Sequence, residues 1–201
     1  MSLLGIRVIS GSAKGRRLKV VPGDTTRPIM DRVKENLFNL ISADYVHNNR
    51  WLDLFGGTGS VGIEALSRGA SHVTFVDKSR TAIRVLRENL ATTQLADQAL
   101  IRHADAFQFL EKLNDTPFDV VYIAPPQYHG MWVGAVIGVE QNLDQFVAED
   151  GIVVVQIDPK EYMELTLSKL TLYKQRTYGT TMLCFYERSS GIDADLDEAT
   201  A

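Results

Sequence analysis

Asp53-Leu54-Phe55-Gly56-Gly57-Thr58-Gly59-Ser60-Val61-Gly62-Ile63-Glu64-Ala65-Leu66 is the stretch on which the reading of this chain turns. Trp51 to Phe55 reads as a short apolar strand and Val61 to Arg68 as a helix. Between them Gly57, Gly59 and Gly62 satisfy a G-x-G-x-x-G spacing. Glycines there let the backbone turn sharply and approach a ligand closely. Asp77 follows twenty residues after Gly57, at the end of the next strand-like run, His72 to Val76. A carboxylate in that place can accept from both hydroxyls of an adenosine ribose. The stretch therefore predicts an adenosine-containing cofactor, and by itself leaves open whether that is a dinucleotide or S-adenosylmethionine.

Downstream, strand and helix alternate. Helices are expected over Arg80 to Leu90, Ala106 to Leu113 and roughly 131 to 147, and strands over Leu100 to Arg102, Asp119 to Ile123 and Ile152 to Ile157. Leu170 to Thr177 and Thr180 to Glu187 pivot on Gly179 as an antiparallel pair. Such alternation predicts an α/β Rossmann-like fold: a mostly parallel seven-stranded sheet, helices on both faces, an antiparallel last strand, and ligands beyond the carboxyl ends of the strands. Upstream, residues 6–10 and 16–22 read as a hairpin around Gly11 to Gly15, and a helix opening at Pro28 and running to about 45 presents Val33, Leu37, Leu40 and Ile41 on one face. One domain is expected over 1–188, with an acidic disordered tail over 189–201.

Asp53 discriminates between the two cofactors, because it points a negative charge toward the place where a dinucleotide would put its pyrophosphate. The cationic amino group of S-adenosylmethionine is the better partner, although Asp53 could instead only tie the loop down through backbone amides. Asp105 and Ala106, after the third strand, could read an adenine edge, and Asp105 could equally cap a helix. Phe55, Gly56, Gly57, Gly59 and Lys78 complete the candidate cofactor set. After the fourth strand, Ala124-Pro125-Pro126-Gln127-Tyr128 places a rigid double proline where chemistry belongs in this architecture, though Pro-Pro alone would be an ordinary turn.

Charge is distributed unevenly. The chain of 201 residues carries a formal net charge of −4, yet residues 1–50 hold nine basic against four acidic side chains. Arg7, Lys14, Arg16, Arg17, Lys19, Arg27 and Arg32 are candidate contacts to a polyanion's phosphates, against the alternative of a solvated strand face. The single cysteine, Cys184, lies in an apolar run and reads as a small buried side chain, so no internal disulfide or cysteine zinc site is possible. Four scattered histidines lack metal-ligand spacing, and no apolar run reaches membrane-spanning length. A cytoplasmic monomer without metal is expected.

Asp53 to Ala70, preceded by Thr26-Arg27-Pro28 and Asp31-Arg32-Val33-Lys34-Glu35-Asn36-Leu37-Phe38, resembles the RsmD-type bacterial 16S ribosomal RNA guanine-N2 methyltransferases, as do Arg7 to Gly11 and Lys14 to Leu18. The resemblance covers about residues 6 to 187. It implies S-adenosyl-L-methionine as cofactor, ribosomal RNA or a small-subunit particle as partner, and residues 124–128 as the catalytic loop. The family's usual motif is Asp or Asn, Pro-Pro, then Phe or Tyr. Here Ala124 replaces the polar residue and the aromatic Tyr128 arrives one position late, behind Gln127, whose amide oxygen could replace the lost acceptor. An NAD-dependent oxidoreductase would explain the glycine loop but neither Asp53 nor the proline loop. An RNA-binding module with a degenerate site would explain Ala124.

Overall fold

The computed structural model describes residues 6–22, 29–112 and 116–189. Arg27, Pro28, the expected helix end at Leu113 and all of the expected tail but Ser189 lie outside those residues. Seven strands form one sheet: β1 (Arg50–Asp53), β2 (His72–Asp77), β3 (Ala99–His103), β4 (Phe118–Ile123), β5 (Val147–Ile157), β6 (Leu170–Tyr178) and β7 (Thr181–Arg188). Their order is β3-β2-β1-β4-β5-β7-β6, with β7 antiparallel to both neighbours and the other pairings parallel. The chain runs outward from β1 to β3 and then returns to place β4 on the other side of β1. That reversal opens a crevice beyond the carboxyl ends of β1 and β4, the usual ligand position in open α/β sheets.

Among the described residues six helices cover the sheet: α1 (Asp31–Leu40), α2 (Ser60–Ser67), α3 (Arg80–Thr93), α4 (Ala106–Leu110), α5 (Met131–Gln141) and α6 (Leu143–Phe146). Successive strand residues face opposite sides, so Trp51 and Leu52 enter different cores. One core joins α1, α2 and α3 through Val33, Leu37, Ile63, Phe75 and Leu86; the other joins α4, α5 and α6 through Leu110, Val121, Trp132, Val136 and Phe146. In β5, Ile152 to Val155 are all buried, the unbroken apolar run of a strand covered on both faces.

Several boundaries differ from the sequence reading. The helix expected over 28–45 is α1, ending at Leu40, with a separate 3-10 turn at Ala43–Tyr45 whose start is capped by Ser42 Oγ accepting from the Asp44 amide. The helix expected over 131–147 breaks at Asn142 into α5 and α6, and β5 begins at Val147 rather than Ile152. Among the described residues the N-terminal hairpin has the expected antiparallel sense but only a short pairing around the turn from Gly11 to Gly15: Arg7 bridges Arg17, Val8 donates to the Arg16 carbonyl, Gly15 to the Val8 carbonyl and Leu18 to the Ile6 carbonyl. The physical reason is competition for its amides. Ser12 donates to the Ser67 carbonyl, Ala13 to Ser67 Oγ, Ile9 and Ser10 to the Glu64 carboxylate, and Lys19 to Asn89 Oδ1, so the segment is strapped onto α2 and α3 instead of extending a ladder. Gly11 is required there: at φ +83 a Cβ would lie 1.6 Å from the Ser67 carbonyl oxygen.

Candidate active site

The loop after β1 is shaped from both sides. Gly57 and Gly59 take left-handed backbone angles, φ +52 and +77, and the Gly57 amide donates to Asp77 Oδ2 at 2.8 Å. At Gly62 a Cβ would come 2.3 Å from the Phe75 ring, so the third glycine of the spacing sets how closely α2 lies on β2. Between this loop and the carboxyl ends of β1 and β4 lies a cleft of about 590 Å³. Asp53, Phe55, Gly56, Gly57, Asp77, Lys78, Asp105 and Ala106 all line it, whereas Gly59 lies behind the surface, turning the loop into α2.

The three carboxylates differ in their surroundings. Asp53 is 2% exposed, and Oδ2 accepts the Gly62 amide at 3.3 Å. Burial pushes its carboxyl up to about 7, with the Gly62 hydrogen bond opposing and the negative charge of Asp77 adding to the rise. Both roles considered for Asp53 are thus sterically open: it holds the loop and still presents a buried carboxyl to the cleft. Asp77 accepts Gly57 N–H on Oδ2 and Ser79 N–H on Oδ1, at 2.8 and 2.7 Å. Each oxygen keeps a second lone pair. Asp105 caps α4, accepting from Phe107 and Gln108 through Oδ1 and leaving Oδ2 outside the cap.

Across the cleft, Ala124, Pro125, Pro126 and Gln127 form the opposite wall. The Gln127 side chain is half-buried and has no hydrogen bond among the described residues. Tyr128 is outside the cleft lining, 64% exposed beside the Gln127 wall. Its backbone is left-handed at φ +64, a strained state for an aromatic residue. Its amide donates to Glu161 Oε1 at 2.5 Å and its hydroxyl to Asp158 Oδ2 at 2.7 Å, so both ends of the residue are held by the 3-10 turn after β5.

The basic set is split by its contacts. Arg7 pairs with Asp31 at 2.9 Å, Lys19 pairs with Glu88 at 2.8 Å, and Arg16 donates to the Thr92 carbonyl at 3.2 Å. Lys14, Arg17 and Arg32 are exposed with no partner among the described residues. The strap that carries these charges continues into Val20, Val21 and Pro22, which line the cleft beside the cofactor loop.

Sequence reasoning missed several parts of this arrangement. Tyr122 donates its hydroxyl to Gln156 Oε1 at 2.6 Å in the cleft wall, and burial raises its phenol well above the usual value. Asn89 on α3 pairs with both backbone groups of Lys19 and donates to the Thr58 carbonyl, linking strap to cofactor loop. Lys34 and Glu64 are fully buried 3.5 Å apart. A signal for that pair was present: Lys34 stands at the spacing of Leu37 and Phe38, and Glu64 sits within Val61-Gly62-Ile63-Glu64-Ala65-Leu66, an apolar run. Among the described residues no group of three potential ligands could hold a metal, and no helix is long and apolar enough to cross a membrane.

The sequence profile of a family described as Conserved hypothetical protein 95 matches residues 6–187. The chain is 39% identical to YlbH of Bacillus subtilis over 91% of its own length and 99% of that protein. It is 34% identical to ribosomal RNA small subunit methyltransferase D of Haemophilus influenzae, over 90% and 93% of the two chains. Among solved structures, YhhF of Escherichia coli superposes with a TM-score of 0.80 at 30% identity, over 92% of this chain and 98% of that one. An RNA methyltransferase from Salinibacter ruber, solved with S-adenosyl-L-homocysteine, shares the fold at TM-score 0.61 and 17% identity, over 86% and 100%. With the profile matched across nearly the whole chain and these identities behind it, the protein belongs to the Conserved hypothetical protein 95 family, which includes ribosomal RNA small subunit methyltransferase D.

Proposed function

We propose that this protein methylates the exocyclic N2 amine of a guanine in small-subunit ribosomal RNA. In its coarser form the assignment is that of the family, an S-adenosylmethionine-dependent methyltransferase acting on ribosomal RNA in the cytoplasm. The observation that carries the finer reading is that the carboxylate wall and the Ala124–Gln127 wall open into one cleft. The residues present fit the cofactor. Asp53 offers a buried carboxyl that a cation would compensate, Asp77 has lone pairs for two ribose hydroxyls, and Asp105 Oδ2 with the Ala106 amide can meet an adenine edge.

When bound, S-adenosylmethionine supplies an activated methyl group on a sulfonium. The protein's remaining task is to present a poor nucleophile, because the guanine N2 lone pair is delocalised into the ring. Acceptors that hold the amine hydrogens pull the nitrogen toward tetrahedral geometry, and the backbone carbonyls of Ala124 and Pro125 with the unpaired Gln127 amide oxygen are the candidates. The nitrogen would gain the methyl carbon as the sulfonium's methyl carbon–sulfur bond breaks, leaving a neutral thioether as the leaving group, and would shed one proton to solvent. The target base must come from a loop or be flipped to reach this wall.

Tritiated methyl transfer to total RNA from cells lacking the protein, followed by nucleoside analysis, tests the reading. Label in N2-methylguanosine of the small-subunit RNA is expected. Label in another nucleoside would move the assignment to that base, and no label despite retained S-adenosylhomocysteine binding would make the protein an RNA-binding module.

A further inference from the structure

Helix α3 begins at the cleft, where Thr81 and Ala82 line its mouth, and runs beneath the strap. Its inward face is Ala82, Ile83, Val85, Leu86 and Leu90. Its outward face carries Arg80, Arg84 and Arg87, all exposed, with no hydrogen bond or ion pair among the described residues. Spacings of four and three put the three on one stripe of a helix with 3.6 residues per turn.

The one acidic side chain on that stretch, Glu88, is bonded by Lys19 of the strap at 2.8 Å and feels the charge of Arg84 more weakly. Arg16 donates to the Thr92 carbonyl near the other end of the helix, and Asn89 clamps the Lys19 backbone onto it. The strap cations and the helix cations therefore sit on one rigid support. The setting is otherwise acidic: residues 51–201 hold twelve basic against twenty-one acidic side chains, whereas residues 78–88 hold four against one. A salt-bridged solvent face would alternate its signs; this one does not.

We propose that Arg80, Arg84 and Arg87 continue the basic strap into a single phosphate-binding track, along which the backbone of the substrate RNA runs to the mouth of the cleft. The inference rests on the RNA reading above and deepens it by naming the surface. The occupant it fits is a polyanion with repeated charges, because the track combines separate exposed cations from two elements. Contacts of this kind position the RNA without reading its sequence.

Filter binding of the full chain to protein-free 16S ribosomal RNA from cells lacking the protein, over a series of salt concentrations, tests it. Each lost phosphate contact lowers the slope of log affinity against log salt by about 0.7–0.9. The Arg84→Gln/Arg87→Gln double variant keeps helix propensity, so it should fold, retain S-adenosylhomocysteine affinity, and lose roughly 1.5 units of slope. Arg16→Gln/Arg17→Gln should also lose slope. Arg176→Gln, on β6 at the far edge of the sheet, should keep the parental slope. An unchanged slope for the α3 variant beside a reduced one for the strap variant overturns the track and leaves the RNA reading standing. An equal loss for Arg176→Gln also overturns it, since binding would then be diffuse. No salt-dependent binding by the parent, either to this RNA or to small-subunit particles from the same cells, would sink the RNA reading and the track together.

Discussion

On the proposed reading, in which Asp53 meets the cofactor's amino group, its burial converts cofactor binding into a pH dependence. Its carboxyl, pushed up to about 7 by burial, is partly protonated at neutral pH in the free protein. A cationic amino group favours the charged form, so binding expels a proton, and affinity for S-adenosylhomocysteine should weaken as pH falls from 8 to 6, approaching tenfold per unit well below 7. Calorimetry in buffers of different ionisation enthalpy should detect the released proton, and Asp53→Asn should lose both the dependence and the release. A flat profile would mean that the amino group is held elsewhere. Tyr128 poses the second question at this scale. Its aromatic ring comes one position later than in the family's motif, yet a left-handed backbone and tethers at both ends fix where it stands. Asp158 is itself held, 5% exposed and accepting the Lys160 amide, and that bond with the Tyr128 hydroxyl keeps its carboxyl below the usual carboxylate range. Tyr128→Phe removes only the hydroxyl tether and should cost about 1 kcal/mol in RNA engagement, read as a severalfold higher KM for RNA with cofactor affinity intact. Tyr128→Ala should cost more, roughly 1–3 kcal/mol, on the proposal that its ring stacks on the target base. If the Phe variant matched the parent while the Ala variant failed, Asp158 would not orient the ring.

At the scale of elements, α2 connects the cofactor loop to the strap. All eight of its residues are buried, which follows from Val61, Ile63, Ala65 and Leu66 filling one core while Ser60, Glu64 and Ser67 bond to neighbouring elements. Glu64 is the hub: it accepts the Ile9 and Ser10 amides, the Arg68 guanidinium at 2.7 Å and faces the Lys34 ammonium. Lys34 in turn donates to the Arg7 carbonyl and Ser60 Oγ, and burial pulls its pKa down against the opposing pull of Glu64 and Asp31. Removing one partner from a buried charge pair leaves the other uncompensated. Glu64→Ala should therefore lower unfolding free energy by roughly 3–5 kcal/mol in urea titration. A loss below about 1 kcal/mol, the range of an exposed pair, would place the strap's attachment on Ser67 and Asn89 instead. The sequence located α2 within one residue at each end, because its boundaries follow from the glycine turn before it and from Gly69 after it. It placed the strap's strands less well, since its backbone partners are side chains more than fifty residues away in the chain.

For the whole molecule, the cleft is made by distant parts of the chain: the loop after β1, the loop after β4, residues 20–22 at the end of the strap, and the residues that follow β2 and β3. Asn89 ties the first to the third, since one side chain bonds both Lys19 and Thr58. The loop proposed to hold the cofactor and the strap are thus linked through α3. The sequence by itself determined the sheet's alternation, the glycine turn, Asp53 and Asp77 as its carboxylates, and the anomaly at Ala124 and Tyr128. Those features are written in side-chain period and in the backbone freedom of single residues, which are local. Only the tertiary structure decided that the strap forms a wall of the cleft, that Lys34 and Glu64 meet inside, that Asp158 and Glu161 hold Tyr128, and that the helix carrying Arg80, Arg84 and Arg87 is the one to which the strap is anchored. Each of those depends on strand order and on which helix faces which neighbour. Such contacts join residues that no period links along the chain, and they exist only once burial of the two cores has fixed the elements against one another.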